Sequence, residues 1–162
     1  MTVIIDAVDF AVAAFREDGD WQVAEVTHDH VSDVESLASA LRRLPGDGGA
    51  VGMVAIDDDF FVVVRVAGTQ TRVLLSDVTA ATEWELAASA VEFLGLPVPD
   101  DDIDDLEPAG DLELLSDLGM QAVDLAAMLD DEEAYPDEVL SDIARRLGFG
   151  PLFDDAVGFT SA

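Results

Sequence analysis

The stretch AVGMVAIDDDFFVVVRVAGTQTRVLL, residues 50–75, decides the fold of this chain. It contains three apolar runs, at 50–56, 60–66 and 71–75, separated by the short segments DDD and AGTQ. Valine, isoleucine and phenylalanine favour β-strands, and runs that are apolar at nearly every position indicate strands buried on both faces. The stretch therefore predicts three central strands joined by tight turns. Arg65 is the exception within the second run, and we expect it to face a sheet edge or a carboxylate.

Two further strands and two long helices are predicted around this stretch. The runs at 9–16 and 21–27 flank an acidic turn that contains glycine, which is typical of a β-hairpin. Apolar residues three and four apart predict a helix over 33–44, with Ser32 as its cap, and a second over 79–94. This order predicts an α+β fold with a five-stranded, mainly antiparallel sheet. Longin-like and profilin-like folds share the order, an analogy of topology that carries no function.

The composition changes after the second long helix. The segment DDDIDDLE at 100–107 is acidic and indicates a linker, and helices are predicted beyond it over 111–118, 121–129 and 137–147. The sequence predicts an α/β sheet domain over residues 1–97 and an acidic linker over 98–109. A small C-terminal helical subdomain is predicted over 110–150, followed by a weakly structured tail over 151–162.

The charge balance limits the partners that the chain can have. Asp and Glu together number 36, against seven basic residues that are all Arg, which gives a formal net charge of −29. Such a field repels phosphate backbones and attracts basic proteins, so direct nucleic-acid binding is disfavoured. The chain shows neither a secretory leader pattern nor an apolar run of membrane-spanning length, and we expect a cytoplasmic protein without a membrane segment.

No motif of a known catalytic class occurs in the sequence. There is no cysteine, which excludes thiol catalysis, disulfides and Cys-ligated zinc, including the zinc site of a nucleobase deaminase. Neither a nucleophile elbow nor a phosphate-binding glycine loop is present. We therefore expect a binding protein rather than an enzyme, with no cofactor.

Three acidic or histidine-containing segments are the candidate metal sites. His28 and His30 form an H-D-H pattern in a predicted loop, and Asp-rich runs occupy 57–59 and 100–105. The last run lacks the glycine and the glutamate that an EF-hand calcium loop requires. For all three segments, a solvated loop is the favoured interpretation, and no metal is predicted.

Two adjacent arginine pairs stand out among seven basic residues. Arg42 and Arg43 end one predicted helix, and Arg145 and Arg146 end another. One interpretation is a recognition fork for a carboxylate or phosphate. The favoured one is complementarity to the helix dipole combined with ion pairs to the surplus acids.

Several stretches, taken together in their order and spacing, resemble one bacterial family over about residues 9–150. They are AFREDG at 14–19, LRRLPG at 41–46, GGAVG at 48–52, DFFVVVRV at 59–66, LLSDVTAA at 74–81, GD at 110–111, YPDE at 135–138 and IARRLGF at 143–149. The chain resembles the tRNA adenosine deaminase-associated proteins. The resemblance implies a partner, the enzyme that makes wobble inosine, and no catalytic motif. Charged residues within or beside these stretches are the candidates for an interaction: Arg42, Arg43, Arg65, Asp77, Asp137, Glu138, Arg145 and Arg146.

The leading hypothesis is a non-catalytic accessory protein that binds the deaminase, or another basic protein, or modulates its access to tRNA. The alternatives are an acidic mimic that competes with tRNA and a regulator that binds a small ligand or a metal. The acidity also has a simpler explanation in solubility, salt adaptation or codon usage. A one-sided acidic face would favour a binding site, and an even coat would favour solubility. An apolar strand such as 60–66 at a sheet edge would permit a homodimer.

Overall fold

An antiparallel β-sheet in the order β2-β1-β3-β4-β5-β6 forms the centre of the chain. The arrangement comes from a computed structural model that describes residues 8–17, 20–26, 33–43, 49–56, 60–67, 70–77, 84–95, 109–116, 119–129 and 136–157. The strands are, in chain order, β1 Val8–Glu17, β2 Asp20–Glu25, β3 Ala50–Ile56, β4 Phe60–Ala67, β5 Gln70–Leu75 and β6 Ala109–Gly110.

The first five strands confirm the predicted α+β fold and its antiparallel sheet. β3 has the predicted bounds, and β4 and β5 differ from prediction by one residue each. β6 was not predicted, because two residues are too few for a hydropathy pattern. β4 lies between β3 and β5, so the expectation that this strand offers an edge for a dimer is wrong. A homodimer as such stays a prediction.

Both faces of the sheet are covered, which explains why the central runs are apolar at almost every position. Side chains alternate between the faces of a strand. In β4, Val62 and Val64 belong to the core on one face, and Phe61 and Val63 belong to the core on the other. We call these the first and second faces. Arg65 follows Phe61 and Val63 on the second face.

The first face is covered by two helices, α1 Val34–Arg42 and α2 Glu85–Phe93. The buried side of α1 is the predicted one, with Val34, Leu37 and Leu41 packed on the sheet. Its cap is Asp33 rather than the expected Ser32, because the Asp33 carboxylate accepts a hydrogen bond of 2.7 Å from a first-turn N–H.

Within the described residues, each of these two helices is shorter than the helix that the sequence predicts. α2 spans nine residues, and its predicted start near residue 79 lies outside the described residues. The helices are joined by a polar contact, because the Val34 N–H donates to Ser89 Oγ at 2.9 Å and that hydroxyl donates to the Leu86 carbonyl at 2.7 Å. This contact satisfies one of the orphan donors at the start of α1.

The second face is covered by the C-terminal part of the chain. It consists of α3 Ala122–Leu129, α4 Pro136–Leu147 and α5 Gly150–Val157, together with turns at 112–115. Its core combines strand residues with residues from these helices: Val12, Ala14, Val51, Met53, Ala55, Phe61, Val63, Leu74, Leu114, Leu115, Met120, Leu125, Val139, Leu140, Ile143, Ala144, Leu147, Phe149 and Phe153. None of the helices in the described ranges is long and apolar enough to cross a bilayer.

Trp21 on β2 connects the sheet to this C-terminal layer. Its indole N–H donates to the Leu147 carbonyl at 3.1 Å, and its ring lies 4.7 Å from the ring of Phe149 between centroids. The guanidinium carbon of Arg16 lies 5.3 Å from the Trp21 ring centre on the exposed side. The indole of Trp21 therefore contacts a carbonyl and an aromatic ring at the end of α4, and a cation of β1.

Residues 111–116 differ from the predicted helix over 111–118. The Asp111 N–H donates to the Val73 carbonyl at 3.0 Å, and the Asp111 carboxylate accepts from the Glu113 N–H at 2.9 Å. These bonds hold the chain beside β5 and begin a turn instead of a helix. Gly110, with φ of +125°, is required there because a Cβ would lie 2.2 Å from the Val73 carbonyl oxygen.

The structure also differs from prediction after residue 150. Residues Gly150–Val157 form α5, in a region expected to be weakly structured, and Phe153 is fully buried in the second-face core. The predicted linker lies outside the described residues except for Ala109. The division into a sheet domain and a helical subdomain stays a prediction, although α3, α4 and α5 share a core with the sheet.

Candidate functional site

The first arginine pair lies at the exposed end of α1. Arg42 reaches across to β5, where its Nη2 donates to Thr71 Oγ1 at 2.6 Å. Arg43 is exposed, and its backbone N–H closes the last turn of the helix on the Ala40 and Leu41 carbonyls. Arg42 therefore attaches the helix end to the sheet through a threonine hydroxyl, and the choice between a recognition fork and a structural role for this pair stays a prediction.

The second arginine pair is engaged by carboxylates of α3 and α4. Arg145 lies 3.7 Å from an Asp142 oxygen, and Arg146 lies 3.7 Å from Asp142 and 3.8 Å from Asp124. The side chains in these pairs are between 38% and 64% exposed, so each pair contributes little to stability. The pair between Arg146 and Asp124 connects α3 to the end of α4.

A groove runs between α3 and α4 beside these ion pairs. Its volume is about 480 Å³, which is within the range of small-molecule ligand sites. Its apolar lining comes from Ala127, Met128 and Val139. The charged residues along it are Asp124, Glu138, Asp142, Arg145 and Arg146. We call this surface the α3–α4 groove.

The helix on one side of the α3–α4 groove is unusually apolar for its exposure. Val123 is 73% exposed, the largest value among the large hydrophobic residues in the described part of the chain. It lies four residues before Ala127, so the two share a helix face. Ala126 is also exposed, whereas Leu125 turns into the core. The outward side of α3 is therefore an apolar surface next to a groove with charged walls.

A third group of arginines was not predicted as a pair. Arg65 of β4 and Arg72 of β5 are register partners, so their side chains leave the same face of the sheet side by side. Arg65 is only 4% exposed, and its Nη1 donates to the Leu114 carbonyl at 3.2 Å. Arg72 pairs with Asp111 at 3.3 Å. Arg65 therefore lies on a central strand and faces a carbonyl, not an edge as one expectation had it.

A signal for this pair was present in the sequence. The sequence predicts a turn at 67–70 between β4 and β5, and strands joined by a short turn pair symmetrically about its centre. Counting outward gives Ala67 opposite Gln70 and Arg65 opposite Arg72, as the structure has them. Arg72 was missed because the prediction considered only adjacent residues.

A family model described as Rv3753c-like tRNA adenosine deaminase-associated protein matches residues 9–150, the span that holds the groove and all three arginine groups. The chain belongs to this family. Among curated proteins it is similar to Protein Rv3753c of Mycobacterium tuberculosis (strain ATCC 25618 / H37Rv), with 39% identity over 142 residues, covering 86% of this chain and 82% of that protein. No solved structure matches the chain.

The remaining predicted interaction residues, Asp77, Asp137 and Glu138, lie in different parts of the fold. Asp77 is 5% exposed and directly follows Ser76, whose hydroxyl accepts the Phe61 N–H at 2.8 Å. It therefore lies where β5 ends, not on an open surface. Asp137 and Glu138 belong to the first turn of α4, and Glu138 is exposed at the α3–α4 groove. The structure thus brings Glu138, Arg145 and Arg146 together and leaves Asp77 apart.

The predicted loops with metal-ligand residues are outside what the structure describes. This applies to His28 and His30, to residues 57–59 and to residues 100–105. Within the described ranges, no group of three or more His, Asp or Glu residues is placed to hold a metal ion.

Acidic side chains of the described residues are spread over the whole surface. They occur on the β1–β2 hairpin, on the helices of the first face and on the C-terminal layer of the second face. The exposed ones are Glu17, Asp20, Glu25, Glu35, Glu85, Glu92, Glu113, Glu138 and Asp155. Among the described residues, charge alone therefore does not mark one face, whereas the exposed apolar side of α3 is confined to one helix.

Proposed function

We propose that this chain is a non-catalytic accessory protein that binds a tRNA adenosine deaminase through the α3–α4 groove and the exposed side of α3. The observation that carries the proposal is the 73% exposure of Val123 on an apolar helix, in a family described by its association with that enzyme. Exposed apolar surface rimmed by charge is typical of protein interaction sites.

The chemistry of the groove favours a basic, amphipathic segment of the partner. Ala127, Met128 and Val139 provide an apolar lining, and methionine adapts to partners of different shape. Asp124, Glu138 and Asp142 provide carboxylates at its sides. The sequence between α3 and α4 adds four more acids, DDEE at 130–133. A deaminase that binds tRNA needs basic surface, so charge would steer the two proteins together.

The absence of catalytic chemistry in the sequence supports the accessory role. A nucleobase deaminase needs cysteine ligands for its zinc, and this chain has no cysteine. The family description names association with a deaminase rather than deamination. Because bacterial tRNA is modified in the cytoplasm, the proposal implies a cytoplasmic protein.

Calorimetry with the tRNA adenosine deaminase of the same organism tests the proposal. Binding should be present at low salt and should weaken as salt is raised, because charge steering is screened within about 10 Å at 0.1 M salt. Val123→Asp should weaken the affinity by on the order of tenfold or more, as expected for an apolar residue central to an interface. Its exposure means that the variant should still fold.

Phe93→Asp is the matched control. Phe93 is 44% exposed at the end of α2, on the other face of the sheet, so the same chemical change there should leave the affinity unaltered. The proposal fails if wild-type protein does not bind the deaminase at low salt. The groove assignment alone fails if Val123→Asp and Phe93→Asp have equal effects, since the contact then lies elsewhere.

Competition with tRNA is the second candidate function, and the same mixture tests it. A tRNA mimic would concentrate carboxylates on one face, whereas those of the described residues lie on both helical layers. We therefore expect the deaminase to bind this protein and tRNA at the same time. Binding of this protein that is lost as tRNA is added would favour the mimic.

A further inference from the structure

The cross-strand pair of Arg65 and Arg72 forms one wall of a small cavity on the second face of the sheet. The cavity encloses about 170 Å³, and its lining consists of Arg65, Ala67, Gln70, Arg72, Leu114 and Ser116. It lies at the end of the β4–β5 hairpin, under the segment that begins at β6. It is separate from the α3–α4 groove, with which it shares no lining residue.

The placement of two arginines side by side is unusual for this chain. Like charges directly opposite on neighbouring strands repel each other and destabilise the pairing. The chain has 36 acidic and only seven basic residues, yet two of the seven occupy one cross-strand pair. The strand register therefore brings two cationic side chains side by side within a protein that is negative overall.

The two guanidinium groups are held at different depths. Arg65 is 4% exposed and is oriented by the Leu114 carbonyl, so it lies at the inner end of the cavity. Arg72 is 41% exposed and reaches Asp111, which is 36% exposed, at the outer side. Exposed ion pairs of this kind are weak, so Asp111 can hold Arg72 in place and still yield it to another anion.

We propose that this cavity binds a small oxyanion, such as a phosphate or the carboxylate of a small metabolite. Guanidinium forks match the paired oxygens of both groups, and charge-assisted bonds of this type are stronger than neutral ones. The amide of Gln70 and the hydroxyl of Ser116 are further donor groups in the lining. The cavity of about 170 Å³ is smaller than the pockets that hold drug-sized ligands, which suits a small anion rather than a nucleotide.

This site is independent of the proposed deaminase contact. A ligand there would bridge the β4–β5 hairpin and the 109–116 segment, because the lining comes from both. The general field of the protein repels anions, so nonspecific anion binding should be low. Saturable binding of a simple anion would therefore report a built site.

The proposal is tested by titrating the full chain with inorganic phosphate and, in a separate experiment, with malonate. Chloride salt keeps the ionic strength constant in both titrations. We expect saturable binding of one anion per chain by calorimetry, with chemical-shift changes centred on Gln70 and Ser116 in amide spectra. Arg72→Gln should weaken the affinity at least about tenfold, the effect of removing a charge-assisted fork. Arg72 is partly exposed, so this variant should fold.

Arg43→Gln is the matched control, because it removes the same charge from an exposed helix end on the other face. It should change the affinity less than about twofold, as expected from screened long-range charge. Binding of phosphate only, or of malonate only, supports the proposal and identifies which oxyanion the cavity takes. The proposal is overturned if neither binds by about 10 mM, well above a millimolar Kd, or if the two variants weaken binding equally.

Discussion

Replacing Trp21 tests whether the sheet and the C-terminal helices unfold as one unit. Trp21→Phe keeps an aromatic ring but removes the indole N–H that the Leu147 carbonyl accepts at 3.1 Å. A partly buried hydrogen bond contributes about 0.5–1.5 kcal/mol. The smaller ring also loses part of its contact with Phe149 and with Arg16. We expect a loss of about 1–2 kcal/mol in the free energy of unfolding, or roughly 2–8 °C in Tm for a chain of this size.

Trp21→Ala extends the series. It removes the ring contact with Phe149 as well, and truncating an aromatic side chain at a packed site costs about 3–5 kcal/mol when the site is fully buried. Trp21 is partly exposed, so a loss of about 3 kcal/mol is expected. The difference between the two variants separates the hydrogen bond from the packing of the ring.

Urea unfolding followed by two signals gives the assay. The chain has two tryptophans, so Trp84 is the sole one left in either variant. Trp84 packs on the first-face core beside Phe60, with ring centres 6.2 Å apart, and its fluorescence reports that layer. Far-UV circular dichroism reports all helices. Coincident, equally shifted transitions indicate one cooperative unit.

The opposite result would refute this reasoning. If the fluorescence of Trp84 keeps its wild-type midpoint while the helical signal melts earlier, the C-terminal layer unfolds alone. The predicted helical subdomain would then be a unit of its own. A loss below about 0.5 kcal/mol for Trp21→Phe would show that the Leu147 contact contributes nothing measurable.

Substitutions at three further positions probe single contacts, and each is checked by thermal and urea unfolding. Gly52→Val should cost about 1–3 kcal/mol because a Cβ there already lies 3.1 Å from the Leu41 side chain, and Gly52→Ala should cost less. Asp33→Ala should cost about 1 kcal/mol through loss of the α1 cap, whereas Asp33→Asn should cost little, and equal effects would contradict the capping role. Gly110→Ala should cost about 1–3 kcal/mol or more, because a Cβ would meet the Val73 carbonyl at 2.2 Å; an unchanged midpoint would contradict that close approach.

The strands could be predicted because their signal is local. The apolar runs around Val54 and Val63 contain enough β-branched residues to predict the type of β3 and β4, the bounds of β3 and, to within one residue, those of β4. The register of Arg65 and Arg72 follows from the length of the turn between them, so this part of the candidate site was within reach of the sequence. Family membership was likewise visible in the order of several short stretches.

The C-terminal layer was harder to predict because its structure depends on contacts with residues that are distant in the sequence. Residues 111–116 have helix-forming leucines, yet a backbone hydrogen bond from Asp111 to Val73 of β5 holds the start of this segment beside the sheet, where it forms turns. α5 was not predicted, although Pro151 lies in its first turn, where proline is common. The exposure of Val123 depends on which side of α3 meets the sheet, and an apolar helix does not indicate that side.

The second face of the sheet is covered by residues that are synthesised long after its strands. β5 ends at Leu75, but the residues that cover its second face extend to Phe153, so roughly 80 residues, or about 4–16 s of translation, separate the two. During that interval Val51, Met53 and Phe61 have no helix to pack against. The nascent chain thus displays an apolar surface that attracts chaperones or other chains. Premature termination near residue 97 would make that state permanent, and the fragment should aggregate.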